Sequence, residues 1–480
     1  MNKNPKFTAL KIIFAVAFVA LLAYQALWQI YGHKNAAFVK FVRQYNRRPD
    51  ASGKTIRRGS IVDCNGGVLA QTGKSNVWSR IYPLGPAAVH PVGYFHSKYG
   101  ITAIERVCDP ALSGLGETTK VKSFDDLRRF VADASRPESG DTVRLTLDLR
   151  IQRAAYEAMK GRKGAAIVLD PKTGRVLALV SSPGFDPNTP QAAFSNPDNP
   201  VFNRAVQGTY PPGSTFKIAV AALACDLKKT PSMLCSGGGY IASSGTPPIR
   251  DSEYYQYQRR GEKWGGWGVL SLHDALVHSS NVYFAQLGAE KIGTLFFSEL
   301  AHKAQLGKPL TYFQGKSSAL ASASGNFPEV KKNAKLAALS IGQGELLLTP
   351  LHVAAITSAI ANDGIIMTPQ LNASAKPERL SRLCSKSSAA RIAAAMADAV
   401  ENGTGKGIKK YASAVCGKTG TAQTGSGPMH KDHSWFTCFA PQNKPKVCVT
   451  VLIENGGFGA QAALPVAGEI LQACKKFGCL

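Results

Sequence analysis

The larger, C-terminal part of this chain is predicted to be an α/β domain, preceded by a smaller, partly β segment and by one N-terminal membrane-spanning helix. Three observations carry that prediction. Residues 165–181 alternate strand, turn and strand; three strand-like runs and a closing helix follow Lys418; and a basic N-terminus leads into an apolar run from Ile12 to Tyr31. Strands at both ends of a mainly helical middle imply one sheet completed by the C-terminus.

At 480 residues the chain exceeds what one core usually organises, so a tether and two or three domains are expected. Hydrophobic residues at 44% and charged residues at 18% are globular values, which excludes a disordered chain. A net charge of +26 favours an anionic partner. Nucleic acid is the weaker candidate, because the basic residues are scattered and no zinc-finger spacing accompanies them. An anionic wall or membrane surface fits better.

The first element is the anchor. Lys3, Lys6 and Lys11 precede the run Ile12 to Tyr31, broken only by Gln25 and Gln29 and just long enough to span a bilayer. The one A-x-A pattern, Ala15 to Ala17, lies inside the apolar stretch, too early for cleavage of a signal peptide. The lysines before the span, with Trp28 and Tyr31 near its far end, put residues 1–11 in the cytoplasm and everything after the 12–31 span outside. Residues 32–142 mix short apolar runs with turns and read as a separate spacer domain; Ile61 and Val62 enter a turn at Asn65 and Gly66.

From 143 to 480 the pattern sharpens. Ala165 to Leu169 and Val176 to Ser181 flank Asp170, Pro171, Lys172, Thr173 and Gly174, a hairpin signature. Ser271 to Asp274 form a capping-box start to one of the central helices. The runs Trp435 to Ala440 and Val447 to Ile453 flank a turn and carry Cys438 and Cys448, the clearest candidates for a disulfide, with buried free thiols as the more ordinary reading. A helix from about Pro465 to Phe477 closes the chain.

The candidate nucleophile follows Pro211, Pro212 and Gly213, which break any earlier helix. Ser214, Thr215, Phe216 and Lys217 then open the apolar segment Ile218 to Ala224. One helical turn apart, the Ser214 hydroxyl and Lys217 amine are within reach for proton transfer, and apolar surroundings lower a lysine pKa so that a neutral amine can act as base. Alone, S-x-x-K is weak, and an N-cap serine with a snorkelling lysine explains it as well. Support for the chemical reading comes from Ser279, Ser280 and Asn281 between helices and from Lys418, Thr419, Gly420 and Thr421 opening a strand, which with S-x-x-K resemble a known three-motif set. Lys172–Gly174 and Ser324–Asn326 spell similar motifs in a hairpin turn and a Gly/Ser-rich loop, contexts that disqualify them.

With these motifs, Asn203 to Ala205, Ile341 to Gly344, Thr349, Pro350 and Trp435 to Ala440, the chain resembles a class B penicillin-binding protein from Arg58 to about Gly468. Its middle motif reads Ser-Ser-Asn, and Cys64 stands where that family's pedestal usually has a basic residue. The resemblance implies a mainly antiparallel sheet packed between helices, on a pedestal formed by residues 32–142. It implies a peptidoglycan D,D-transpeptidase that cross-links stem peptides and is acylated by β-lactams. Ser214 would attack the carbonyl of the penultimate D-Ala, Lys217 act as base and Ser279 relay the proton to the leaving D-Ala. Ser214 and Thr421 backbone N–H groups would form the oxyanion hole. Asn281 would hold the substrate amide, and Lys418, Thr419 and Thr421, on either side of Gly420, would bind the terminal carboxylate. A neighbouring stem supplies the acceptor amine, no cofactor is called for, and a SEDS-type glycan polymerase is the expected membrane partner.

The rivals are a D,D-carboxypeptidase or β-lactamase, in which water takes the acyl group, and a non-catalytic morphogenesis scaffold. The segment before Val143 is too short for a glycosyltransferase as well as a pedestal. His278 beside Ser279 reads as an exposed helix-end residue, since no G-x-S-x-G elbow accompanies it. His430 and His433 indicate no metal site. Glu329 and Asn333 match the E-x-x-x-N spacing of a deacylating glutamate, but Pro328 before and Lys331 after place Glu329 in a solvated loop.

Overall fold

In the computed structural model, residues 5–32, 57–73, 79–96, 98–114, 139–316, 318–423 and 432–480 are described. Residues 1–55 and 56–480 form two separate units. The first contains a helix, Pro5–Gly32, over the apolar run. Its described side chains, Ile12 to Leu27, are all exposed. Among the described residues no helix is long and apolar enough to cross a membrane.

The second unit begins with a small sheet in the order Arg80–Ile81, Val68–Thr72, Ile61–Val62, Val143–Arg144. The last of these, read from sequence as the opening of the large domain, pairs parallel with Ile61–Val62. The turn after Val62 is built by Asp63, whose Oδ1 accepts from the N–H groups of Asn65 and Gly67 at 2.9 and 2.6 Å. Beneath the sheet, fully buried Glu105 takes Arg58 and Arg80 at 2.7 Å each. A buried carboxylate gripped by two guanidiniums is tolerable only because its oxygens are paired.

The large sheet has five strands: β1 (Gly164–Leu169), β2 (Val176–Ser182), β3 (Cys416–Ala422), β4 (His433–Ala440) and β5 (Val447–Ile453). Their order is β3-β4-β5-β1-β2 and every pair is antiparallel, so the last strand closes on the first hairpin. Six helices bear on the site: α1 (Leu149–Met159), α2 (Lys217–Asp226), α3 (Asn281–Gln286), α4 (Pro350–Ala361), α5 (Lys386–Glu401) and α6 (Ala463–Lys476). Along each strand alternate side chains enter different cores. Ile167, Leu179, Trp435, Phe439 and Leu452 face α4, whereas Val168, Val180, Phe436, Val449 and Val451 face α1 and α6. Burial on both faces is why these strands read as continuous apolar runs. For the same reason α2 and α4 are apolar all round, buried from nearly end to end.

Register settles the cysteines. Cys438 lies opposite Val449, and Cys448 opposite Phe439. Because the side-chain period is two, this offset of one residue sends the two thiols to opposite faces of the sheet. They are buried and free, so the ordinary reading holds and the candidate pair does not form.

Candidate active site

Ser214 is held by backbone crowding. Gly213 adopts φ +54°, and a Cβ there would stand 2.5 Å from the Thr421 carbonyl oxygen on β3. Its N–H donates to the Gly342 carbonyl at 2.9 Å, and Gly342, at φ +74°, approaches so closely that its own Cβ would lie 2.1 Å from the Gly213 oxygen. Trp435 Nε1 secures Pro211 at 3.0 Å. Three elements thus fix the turn, a 3₁₀ helix over Gly213–Thr215, and α2 starts only at Lys217. The predicted helix start falls one short turn earlier than the α-helix itself. Ser214 is partly exposed, and among the described residues its Oγ has no hydrogen-bond partner.

Lys217, one turn on, is fully buried. Its amine reaches the second motif, donating to the Ser279 carbonyl at 2.6 Å and Asn281 Oδ1 at 2.7 Å, with the Phe284 ring centroid 5.5 Å away. Burial lowers its pKa to about 7, against the pull of Asp251 and Glu253. The lowered basicity matches the expectation from apolar surroundings. The hydrogen bonding differs from it, because Lys217 is anchored on Ser279 and Asn281.

The second motif owes its shape to a carboxylate that sequence reading missed. Ser279 sits in the left-handed region at φ +59°, where a non-glycine residue needs outside support. Ser280 then caps α3, accepting from the Tyr283 N–H at 3.1 Å. Asp251, 1% exposed, accepts from Ser280 Oγ, from the Val282 N–H at 3.0 Å and from the Asn281 N–H. Asn281 Nδ2 donates to the Arg250 carbonyl at 2.9 Å. In sequence Asp251 looks like the N-cap of the helix Ser252–Arg259, yet its side chain makes no cap bond there and serves α3 instead. Nothing in its spacing signals that.

On β3, Lys418 and Gly420 point to one face and Thr419 and Thr421 to the other. Fully buried Lys418 donates to Ser279 Oγ at 2.6 Å, and burial followed by the charge of Lys217 drives its pKa well down. Gly420 clears space for the nucleophile turn, since a Cβ there would lie 2.9 Å from Thr215 Cγ2. Thr419 Oγ1 pairs with Thr404 Oγ1 at 2.8 Å, and Thr421 Oγ1 accepts from the Gly459 N–H at 3.4 Å. Ser279, Asn281, Lys217 and Lys418 are therefore one hydrogen-bonded group beside Ser214, with the two threonine hydroxyls on the strand's other side.

The remaining candidates separate from this group. His278 is half-buried against Trp267, rings 3.9 Å apart and 20° from parallel, which corrects its expected exposure. Lys172–Gly174 lie in a turn organised by Asp170, and Asn326 bridges to Leu347. The Glu329 side chain is 79% exposed beside Lys331. Asn455 donates its N–H to His433 Nδ1 at 3.1 Å, and His430 lies outside the described residues. Among the described residues no three His, Cys, Asp or Glu side chains are placed to hold a metal ion.

This fold recurs in known proteins. Residues 58–135 match the penicillin binding protein A dimerisation domain. Peptidoglycan D,D-transpeptidase PbpA of Mycobacterium tuberculosis is 34% identical over 436 residues, covering 82% of this chain and 84% of its own. Peptidoglycan D,D-transpeptidase MrdA of Acinetobacter baumannii is 29% identical, covering 83% and 67%. The penicillin G acyl-enzyme complex of M. tuberculosis penicillin-binding protein A superposes with a TM-score of 0.74 at 32% identity, over 88% of this chain and all of that one. Residues 164–473 match the penicillin binding protein transpeptidase domain, and on that match, with these relatives, the chain belongs to the penicillin-binding protein transpeptidase family.

Proposed function

We propose that this chain is a serine D,D-transpeptidase that cross-links peptidoglycan stem peptides at the outer face of the membrane, through an acyl-enzyme on Ser214 that β-lactams trap. The observation that carries the reading is the continuous hydrogen-bonded group Asn281–Lys217–Ser279–Lys418 beside a serine hydroxyl that has no partner among the described residues. A lysine that titrates near neutrality is neutral often enough to take the Ser214 proton. Lys418 occupies a lone pair of Ser279 Oγ, which directs the Ser279 proton outward, toward the leaving D-Ala. The terminal carboxylate then meets the Lys418 amine on the face of β3 that carries Ser279, and Asn281 orients the amide. Backbone N–H groups of Ser214 and Thr421, brought close by Gly213, receive the oxyanion.

Two carboxylates that could activate water, Asp251 and Glu329, are not free to do so, which favours transfer to an amine over hydrolysis. Asp251 is occupied by three donors, and Glu329 is solvated and paired. The helix Pro5–Gly32, with apolar side chains exposed from Ile12 to Leu27, suits a membrane anchor, and a SEDS-type glycan polymerase is the partner we assign. Fluorescent penicillin should label the wild type and not Ser214→Ala. With a D-Ala-D-Ala donor and an added amine acceptor, the cross-linked product should exceed the hydrolysed one. Labelling of the alanine variant would refute the role of Ser214, and exclusive hydrolysis would refute transfer.

A further inference from the structure

Resting on that assignment of Ser214 and Lys217, we propose that Asp251 is a positioning residue of the reaction: its carboxylate holds the Ser279–Asn281 turn in register with Lys217 and sets the charge that the base amine faces. The geometric half follows from the donors it gathers. Ser280 Oγ and the N–H groups of Asn281 and Val282 converge on one buried carboxylate. These include orphan amides at the start of α3, so the carboxylate fixes the turn as a cap would. The same turn presents the Ser279 carbonyl and Asn281 Oδ1 to Lys217 Nζ, and offers Ser279 Oγ to Lys418. Ser279 keeps its left-handed backbone because the residue after it is tied down.

The electrostatic half follows from what surrounds the amine. Lys217 faces Asp251 at the N-cap of the helix Ser252–Arg259, Glu253 in that helix's first turn, and Lys418 from β3. Asp251 in turn faces Lys217, Glu253, His278 at the end of the preceding helix and Cys235 on the strand Met233–Ser236. Burial favours the neutral amine, and Asp251 opposes it. Removing the Asp251 charge therefore lets Lys217 stay neutral at lower pH. The acid limb of acylation must move to lower pH even as the loosened turn reduces the rate. A carboxylate with a purely structural role would reduce the rate without moving the limb.

The test is the second-order rate of β-lactam acylation against pH, on full-length protein checked for folding by near-ultraviolet circular dichroism. Asp251→Asn should lower the alkaline plateau by about tenfold or more and shift the acid limb down by about half a pH unit or more. Glu253→Gln, which touches neither the turn nor the nucleophile, should shift the limb the same way and keep the plateau. If Asp251→Asn does not fold, Ser280→Ala removes one donor from the same carboxylate and should lower the plateau while the limb stays in place. An Asp251→Asn limb that coincides with wild type overturns the inference, as does an Asp251→Asn or Ser280→Ala plateau within about twofold of it. A wild type that takes up no β-lactam refutes the proposed function and this inference together; wild-type acylation with an unmoved Asp251→Asn limb refutes this inference alone.

Discussion

Lys217→Arg separates charge from basicity at the nucleophile. With a pKa of about 7, about half of the Lys217 amines are neutral at pH 7, whereas arginine stays protonated throughout the accessible range. The rate lost is bounded by what a positioned base contributes, about 100- to 10,000-fold. Space adds a second effect. The amine lies in a fully buried slot bounded by the Ser279 carbonyl, Asn281 Oδ1 and the Phe284 ring, and a guanidinium is wider than the ammonium it replaces. Overpacking of this kind costs about 1–3 kcal/mol, so a modest fall in Tm accompanies the kinetic loss. The assay is stopped-flow acylation by a chromogenic β-lactam at pH 7 to 9, with the adduct located by intact-mass spectrometry. Because the loss is one of basicity, raising the pH should not restore the rate. A folded arginine variant that acylates within about tenfold of wild type, or recovers at pH 9, means Lys217 is not the base.

Lys217 also makes stability depend on pH. Its pKa falls from 10.5 in the unfolded chain to about 7 in the fold, so between those values the unfolded state binds more protons and stability rises with pH. The full difference is on the order of 5 kcal/mol, and Lys217→Met should remove that slope from urea titrations between pH 7 and 10. Gly213→Ala combines a left-handed backbone, costing about 1–2 kcal/mol, with a clash against Thr421; acylation should fall by about 100-fold as Ser214 is displaced, and a wild-type rate would show that the turn relaxes freely. The penicillin adduct should persist for hours in wild type and Glu329→Gln alike, because Glu329 is solvated; faster decay in wild type than in the variant would assign a hydrolytic role to Glu329. On the proposed anchoring, protease added to spheroplasts should remove everything beyond about Gly32, and a protected C-terminal domain would contradict that proposal.

Much of the candidate site was legible because its residues lie in short local motifs. Ser214 and Lys217 lie one turn apart, Ser279 and Asn281 share one turn, and Lys418 to Thr421 form one strand. The hairpin β1–β2 was legible because Asp170 and Gly174 make its turn from neighbouring residues. What could not be read depends on partners distant in sequence. Asp251 looks like an ordinary cap until the fold brings Ser280 and Asn281 to it, 29 and 30 residues on. The Gly213–Gly342 contact and the anchoring of Lys217 on the second motif have the same origin. Register was hidden too. Whether Cys438 faces Cys448 turns on a one-residue offset that composition does not encode. Val143–Arg144 joins the small sheet because Ile61–Val62 offers it an edge, although the hydrophobic pattern around it runs on into the large domain.

The closure of β5 onto β1 also constrains how the molecule can be made. During synthesis the hairpin β1–β2 can form early, but the other edge of β1, all apolar, has no partner until nearly the whole chain has emerged. A ribosome that pauses, or a chain cut short before Val447, leaves that edge bare, which is a template for joining other nascent copies. The face against which α4 packs is likewise incomplete until β5 docks. The vulnerable period is therefore the time needed to complete the last strand and helix.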